Sequence, residues 1–529
     1  MRDTVYSGRA VIALRAFVAP NEGVPVAQTA IETRVLGNYI DGDWRPAIAG
    51  DQLDVTNPAT GEVLARVPLS AADDVDAAVA AARAAFPAWR SRSTIERARW
   101  LFGFRQVLEA HQDEVARSVT REMGKTFPDA KAEVGRAIEM VEAASAIPQT
   151  MQGRVLENVA TAIDTETFRQ PVGVCAAIVP FNFPAMVPFW FLPFAIACGN
   201  TFILKPSEQV PLTQELVFNL MHEHGGLPHG VVNLVNGSVD VVNGILDHPG
   251  IDAVSFVGSA KVAKYVYERA AASGKRVQAL GGAKNFMVVM PDAVMGKTVS
   301  NLIGSAFGAA GQRCMAGSVV IAVGDAKAPL MEELVPRTEQ LAVGDGLEEG
   351  TDVGPVVSCA SRDRILEWIE RGVDDGATLA VDGRRPATHP DGAFVGPTIL
   401  DNVTPDMDVA QEEIFGPVLS VIHAASLDEA IGIINASRYG NGTSIFTESG
   451  AAVRRYRHDV EVGMIGVNVG VAAPVAFFPF SGWKGSFFGD LHAHGTDAVD
   501  FYTRKKTVTS RYFSGGETGR FFTEHGDRS

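Results

Sequence analysis

Val172-Gly173-Val174-Cys175-Ala176-Ala177-Ile178-Val179, closed by Pro180, is an apolar run with no polar residue on either alternating face. Such a run fits a strand covered on both sides, the signature of a parallel sheet between helices. Three further runs, Thr201 to Leu204, Val231 to Val235 and Ala253 to Val257, repeat the pattern, each before a helix-like segment punctuated by Gly or Pro. The rhythm is that of successive βαβ units.

Working outward, Ser70 is placed to cap a helix with Val75, Val79, Ala82 and Phe86 on one face, and a long helical stretch runs from Thr94 to Met123. A second α/β region begins near Asn285, with a helix expected over Thr298 to Ala309 and strands over Ser318 to Val323 and Gly416 to Ile422. Phe501 to Tyr512 and Thr167 to Val174 read as β-rich and exposed, candidate edge strands for pairing between subunits. There are no internal repeats.

The 529 residues, 46% hydrophobic and 20% charged, suit two or three globular domains and exclude disordered and fibrous classes. A net charge of -16 argues against a nucleic-acid surface or an anionic membrane as partner. The four cysteines, at 175, 198, 314 and 359, form no CxxC pair, which suits a reducing compartment and a cytoplasmic location. The most apolar stretch, Pro184 to Cys198, is too short to span a bilayer. Residues 1–35 carry Arg2, Arg9 and Arg15 in the manner of a targeting segment, but Asp3, Glu22 and Glu32 favour a disordered extension.

Cys314 lies in Phe307-Gly308-Ala309-Ala310-Gly311-Gln312-Arg313-Cys314-Met315-Ala316, where small residues allow a substrate to approach closely. Alone it fits a buried structural cysteine. The adjoining Arg313 guanidinium is expected to lower the thiol pKa and so favour the nucleophilic thiolate. His222-Glu223-His224 and His492-Ala493-His494 lack a third ligand at metal spacing and read as surface histidines, so no metal is expected. Phe477, Phe478, Phe480 and Trp483 read as a packed wall, and Phe189, Trp190 and Phe191 as core. Gly344-Asp345-Gly346 is a turn, and there is no GxGxxG.

Five motifs stand in order: Pro180-Phe181-Asn182-Phe183-Pro184, Lys205-Pro206-Ser207-Glu208, Phe256-Val257-Gly258-Ser259, Gly311-Gln312-Arg313-Cys314 and Glu413-Ile414-Phe415-Gly416-Pro417. Together they resemble the aldehyde dehydrogenase superfamily over residues 36 to 510. The resemblance implies an α/β aldehyde dehydrogenase fold. In it, a variant Rossmann NAD-binding domain (36–148 and 170–282) joins a second α/β catalytic domain (283–497). A small β bridging element for oligomerisation (149–169 and 498–515) and a tail (516–529) complete the chain, in a homo-oligomer that is a dimer or a tetramer.

It also implies NAD as cofactor, with Lys205 and Glu208 at a strand end on the adenine ribose, Ser259 opening a helix towards the pyrophosphate, and Glu413 on the nicotinamide ribose. Val179, Phe181, Gln209 and Gly281 would line the same cleft. Cys314 would be the nucleophile, with the Asn182 amide and the Cys314 backbone N–H forming the oxyanion hole.

One departure carries weight. Hydrolytic members of the superfamily place a glutamate before Leu-Gly-Gly-Lys to activate water; aligning Lys284 puts Leu280 there, and leucine accepts no proton. A thiol acceptor needs less help, and coenzyme A is the candidate co-substrate. The texts Gln278-Ala279-Leu280-Gly281-Gly282-Ala283-Lys284-Asn285 and Ala476-Phe477-Phe478-Pro479-Phe480-Ser481-Gly482-Trp483-Lys484 resemble the coenzyme A-acylating, methylmalonate-semialdehyde branch. That branch oxidises malonate or methylmalonate semialdehyde, releases carbon dioxide, and yields acetyl-CoA or propionyl-CoA.

By the same resemblance Arg136 and Arg313 hold the substrate carboxylate, a task for planar guanidinium groups. Periodicity alone puts Arg136 in solvent, about 200° round from the buried-face Val134 at about 100° per residue. A hydrolytic dehydrogenase releasing a free acid and a non-enzymatic scaffold are the competing readings. A Cys-His hydrolase finds no histidine in a motif.

Overall fold

The run at residues 172–179 forms the strand Val174–Ile178 in the computed structural model, which describes residues 33–513 apart from 49, 387 and 389. Its side chains alternate between two apolar clusters: Cys175 and Ala177 face one, Val174, Ala176 and Ile178 the other. Burial on both faces is why the run carries no polar residue. The extension expected at residues 1–35 lies, up to residue 32, outside the described residues, as does the whole tail at 516–529.

Five parallel strands stand side by side in the order Val232–Leu234, Thr201–Lys205, Val174–Ile178, Ala253–Val257 and Arg276–Leu280. Numbered along the chain the order is 3-2-1-4-5, so the winding reverses between Val174–Ile178 and Ala253–Val257. Ligands of open α/β sheets bind in the crevice outside the carboxyl ends of the strands at such a reversal. Antiparallel additions complete eight strands: Asn38–Ile40 and Asp43–Arg45 at one edge, Phe487–Gly489 at the other. Phe487–Gly489 comes from the far end of the chain, a crossing no local pattern announces.

A second sheet of seven strands has Asn285–Val289 near its middle, flanked by Gly317–Val323 and Gly442–Phe446. All its pairings are parallel except that of Thr378–Val381 with Thr398–Asp401.

The third sheet corrects one expectation. Ile163–Pro171 pairs antiparallel with Thr503–Arg511 over nine positions and with Val155–Ala160 on its other side. The segment expected as an edge strand at residue 167 onward is therefore the middle strand, and Val155–Ala160, every residue exposed, is an edge. Two helix expectations also change. Ser70 is not a cap: its Oγ accepts from Asn38 Nδ2 at 2.8 Å, and the helix Ala72–Ser91 starts from Ala71. The stretch from Thr94 breaks at His111 into Thr94–Ala110 and Gln112–Met123. Among the described residues no helix is long and apolar enough to cross a membrane.

Candidate active site

The crevice at the reversal point is a cavity of about 320 Å³ lined by Phe181, Asn182, Ser259, Gly281, Cys314, Arg364 and Glu413. Phe181 and Asn182 follow the first strand of the winding, and Ser259 follows the fourth and opens the helix Ala260–Ala272. That helix has no side-chain cap, so its first amides point out unsatisfied. A Cβ on Gly282 would come within 2.7 Å of Glu413 Oε2, and one on Gly281 within 2.9 Å of the Gly485 carbonyl. No side chain fits at either position, so the chain there is bare backbone. Val179, Lys205, Glu208 and Gln209 do not line this cavity. Val179 N–H donates to the Lys205 carbonyl at 3.2 Å, and Lys205 Nζ meets Glu208 Oε2 at 2.6 Å. Glu208 is half-buried and Gln209 is exposed.

Burial pushes the Glu413 carboxyl up to about 7, against the Ala283 N–H that donates to its Oε1 at 3.0 Å and the charge of Lys284. Burial draws Lys284 down to about 7 as well; its Nζ donates to the carbonyls of Val409 and Glu412.

Cys314 is set by the bend that joins the helix Met295–Phe307 to the strand Gly317–Val323. Ala309 and Ala310 both take left-handed backbone angles (φ 51° and 52°), which costs on the order of 1 kcal/mol or more each outside glycine. Gly311 is left-handed too (φ 69°), and a Cβ there would fall 2.1 Å from the Gly416 carbonyl. Asp129 braces the bend: its Oδ2 accepts from Ala309 N–H at 2.9 Å and its Oδ1 from Arg313 Nη2 at 2.7 Å. The Cys314 carbonyl accepts from the amides of Asn285 and Asn441, both at 2.9 Å. Asn182 Nδ2 donates to the Gln312 carbonyl at 3.0 Å, which leaves its second amide hydrogen for another acceptor.

The expectation that Arg313 lowers the Cys314 pKa is corrected. The guanidinium is engaged with Asp129, and burial followed by the nearby Glu413 pushes the thiol up to about 12. The backbone N–H groups of Cys314 and Met315 and the charge of Lys125 only partly offset this. The resting sulfur is a thiol.

A second cavity, about 300 Å³, reaches Cys314 from the other side and is lined by Arg136, Arg313, Asp129, Trp190, Phe480 and His494 among others. Arg136 and Arg313 thus line the same cavity. The solvent position that periodicity gives Arg136 is corrected as well. The helix Phe127–Ser145 packs on two faces, and the segment ending at Ala476 covers the second: Arg136 donates to the Pro474 carbonyl and pairs with Glu139, whose Oε1 accepts from Ala476 N–H at 2.7 Å. Three of the four histidines expected on the surface are not there: His494 is 1% exposed, His224 is half-buried against Trp100 and Phe104, and His492 is half-buried beside Asp497. Of the expected aromatic wall only Phe480 is buried, while Phe477, Phe478 and Trp483 are exposed. Phe189, Trp190 and Phe191 are core as expected.

Residues 44–508 match the model of the aldehyde dehydrogenase family. The chain belongs to that family. It is 54% identical over 482 residues to malonate-semialdehyde dehydrogenase 2 of Geobacillus thermodenitrificans, covering 91% of this enzyme and 100% of the relative. It is 50% identical over 477 residues to malonate-semialdehyde dehydrogenase of Halalkalibacterium halodurans, covering 90% and 98%. Two solved structures superpose with TM-scores of 0.90. One is methylmalonate-semialdehyde dehydrogenase from Oceanimonas doudoroffii (46% identity, 92% and 99% covered). The other is a Sinorhizobium meliloti 1021 protein assigned to the same activity and solved with NAD (45% identity, 91% and 99% covered).

Sequence reading missed several groups that shape this dehydrogenase's site. Lys125 and Glu133 are a fully enclosed ion pair at 2.6 Å; Lys125 also donates to the Asn182 carbonyl at 2.6 Å, and Glu133 accepts from Ala185 and Met186 N–H. Together they fix the Asn182 segment. A lysine after Gly124 and a glutamate eight positions on gave no periodic signal, since both side chains point into one apolar helix junction. Arg364 and Ser361, on the helix Cys359–Asp374, line the crevice that Glu413 and Ser259 share; only the fold brings that helix to it.

Proposed function

We propose that this enzyme oxidises malonate or methylmalonate semialdehyde with NAD, loses the carboxyl group as carbon dioxide, and passes the acyl group to coenzyme A. The observation that carries the reading is the cavity in which Cys314 shares a wall with Arg136 and Arg313. Two guanidinium groups beside a nucleophile select an aldehyde that bears an anion.

In this reading the Cys314 thiol gives its proton to solvent water and the thiolate Sγ attacks the aldehyde carbon. The new oxyanion takes the free amide hydrogen of Asn182 and the Cys314 backbone N–H. Bound NAD supplies the hydride acceptor, and loss of hydride from the same carbon leaves a thioester on Cys314. The bond from the α-carbon to the carboxylate, held by the arginines, then breaks; carbon dioxide leaves and the α-carbon takes up a proton. Release of the acyl group needs a nucleophile. Leu280, 5% exposed and packed in the apolar cluster that Cys314 adjoins, offers water no base, whereas the coenzyme A thiol is itself acidic enough to attack. Lys205, Glu208, Ser259 and Glu413 hold the cofactor, with Val179, Phe181, Gln209 and Gly281 as walls. Domain boundaries as given above, a cytoplasmic location and pairing of the three-stranded sheet between subunits of a homo-oligomer belong to the same proposal.

The test is steady-state turnover of malonate semialdehyde and NAD with and without coenzyme A, with product analysis. The reading predicts acetyl-CoA and fast turnover only with coenzyme A. Rapid free-acid production without it points instead to a hydrolytic dehydrogenase.

A further inference from the structure

His494 lies in the wall of the cavity that holds Arg136, Arg313 and Cys314, and the scheme above gives it no task. We propose that His494 is a third contact for the substrate carboxylate, binding it as an imidazolium that gains its proton together with the substrate. The inference rests on the acidic-substrate reading.

The cavity's charges supply the first argument. Each cation in or behind its wall already has an anion: Arg136 has Glu139, Arg313 has Asp129 at 2.7 Å, and Lys125 has Glu133 at 2.6 Å. A substrate carboxylate therefore enters a sheltered, balanced site as one uncompensated negative charge, which is costly away from water. One proton taken up on binding restores the balance.

His494 is the group built to take it. Its Nδ1 lies 2.7 Å from the Phe478 carbonyl, and a carbonyl can only accept, so Nδ1 carries the hydrogen and Nε2 is the basic nitrogen. Nε2 has no partner among the described residues. Trp190, whose ring centroid is 5.5 Å from that of His494, has a buried indole N–H that likewise lacks an acceptor. An unmatched basic nitrogen in a cavity wall suits a ligand group that can share a proton with it, as a carboxylate does. His494 also has left-handed backbone angles (φ 44°), strain of a kind that collects at functional positions.

Burial, then the charge of Arg136, hold the ring down to about 4 against the Phe478 hydrogen bond, which favours the neutral imidazole at pH 7. A carboxylate within hydrogen-bond reach moves it upward. Binding then tightens as pH falls below the raised value, and levels off near the free ring's value of about 4. The other ionisable groups facing this region are Asp129, Glu133, Arg136 and Glu139 on the helix Phe127–Ser145, Arg313 and Cys314 on the cysteine bend, and His492 and Asp497 flanking His494.

The test uses the full chain and 3-hydroxypropanoate, the unreactive alcohol analogue of malonate semialdehyde, titrated calorimetrically at pH 7 in buffers of different ionisation enthalpy. Wild type should take up close to one proton per ligand bound. His494→Asn keeps a donor for the Phe478 carbonyl but has no counterpart of Nε2. It should abolish the uptake, raise KM for malonate semialdehyde about tenfold with a smaller change in kcat, and flatten the pH dependence of KM. Binding to wild type without proton uptake, or uptake that persists in His494→Asn, overturns the proposal; the first needs no variant to fold. If wild type fails to bind 3-hydroxypropanoate and Arg136→Leu leaves malonate semialdehyde turnover intact, the acidic-substrate reading itself falls.

Discussion

Replacing Arg136 by leucine separates recognition of a carboxylate from the chemistry at sulfur. The side chain is 32% exposed, pairs with Glu139 and donates to the Pro474 carbonyl, so it meets a substrate with part of its capacity already engaged. A hydrogen bond to a charged group contributes about 1.5–3 kcal/mol, and these two features put Arg136 near the low end, about 1.5–2 kcal/mol. At about 1.4 kcal/mol per decade this is a loss of about 10- to 30-fold in kcat/KM for malonate semialdehyde. Propanal has no carboxylate and should lose less than about threefold. Arg313→Leu should behave differently, because Arg313 is tied through Asp129 to Ala309 and the cysteine bend: both substrates should suffer. NADH formation at saturating coenzyme A measures all four combinations. If Arg136→Leu depresses propanal as much as malonate semialdehyde, Arg136 shapes the site and does not read the carboxylate.

Leu280→Glu puts a carboxylate where hydrolytic relatives have one; free acid should then form without coenzyme A, seen as NADH production with no thiol present, at some cost in stability for the buried charge. Because burial raises the Cys314 thiol, iodoacetamide should label exposed Cys359 first at pH 7, and Cys314 labelling should increase steadily up to pH 10; mass spectrometry of the two peptides reads this directly. Lys125→Met strands Glu133 in a closed site and should destabilise the enzyme by about 3–5 kcal/mol, with most of that restored by adding Glu133→Gln, as denaturant unfolding would show.

The parallel sheet was legible because a strand buried on both faces has no choice but to be apolar, as Val174–Ile178 shows. Cys314, Asn182, Glu413 and Ser259 were singled out by motifs, and all four line one crevice. What was illegible depends on distant segments. Arg136 looks solvent-facing until the segment at Pro474 covers it, and His494 looks like a surface residue until Trp190 and Phe480 enclose it. The thiol's elevated pKa runs against its neighbour in sequence because the fold buries the sulfur and sets Glu413 near it, while Asp129, on another segment, pairs with Arg313. Adjacency along the chain is a poor guide to adjacency of charge.

The central claim is that a decarboxylated acyl group waits on Cys314 for a thiol. Mixing the enzyme with NAD and malonate semialdehyde, without coenzyme A, and quenching in acid allows the Cys314 peptide to be weighed. The account predicts an acetyl thioester on Cys314 after one burst of NADH, discharged as acetyl-CoA when coenzyme A is added. An unmodified Cys314 with free acid accumulating over many turnovers would contradict it.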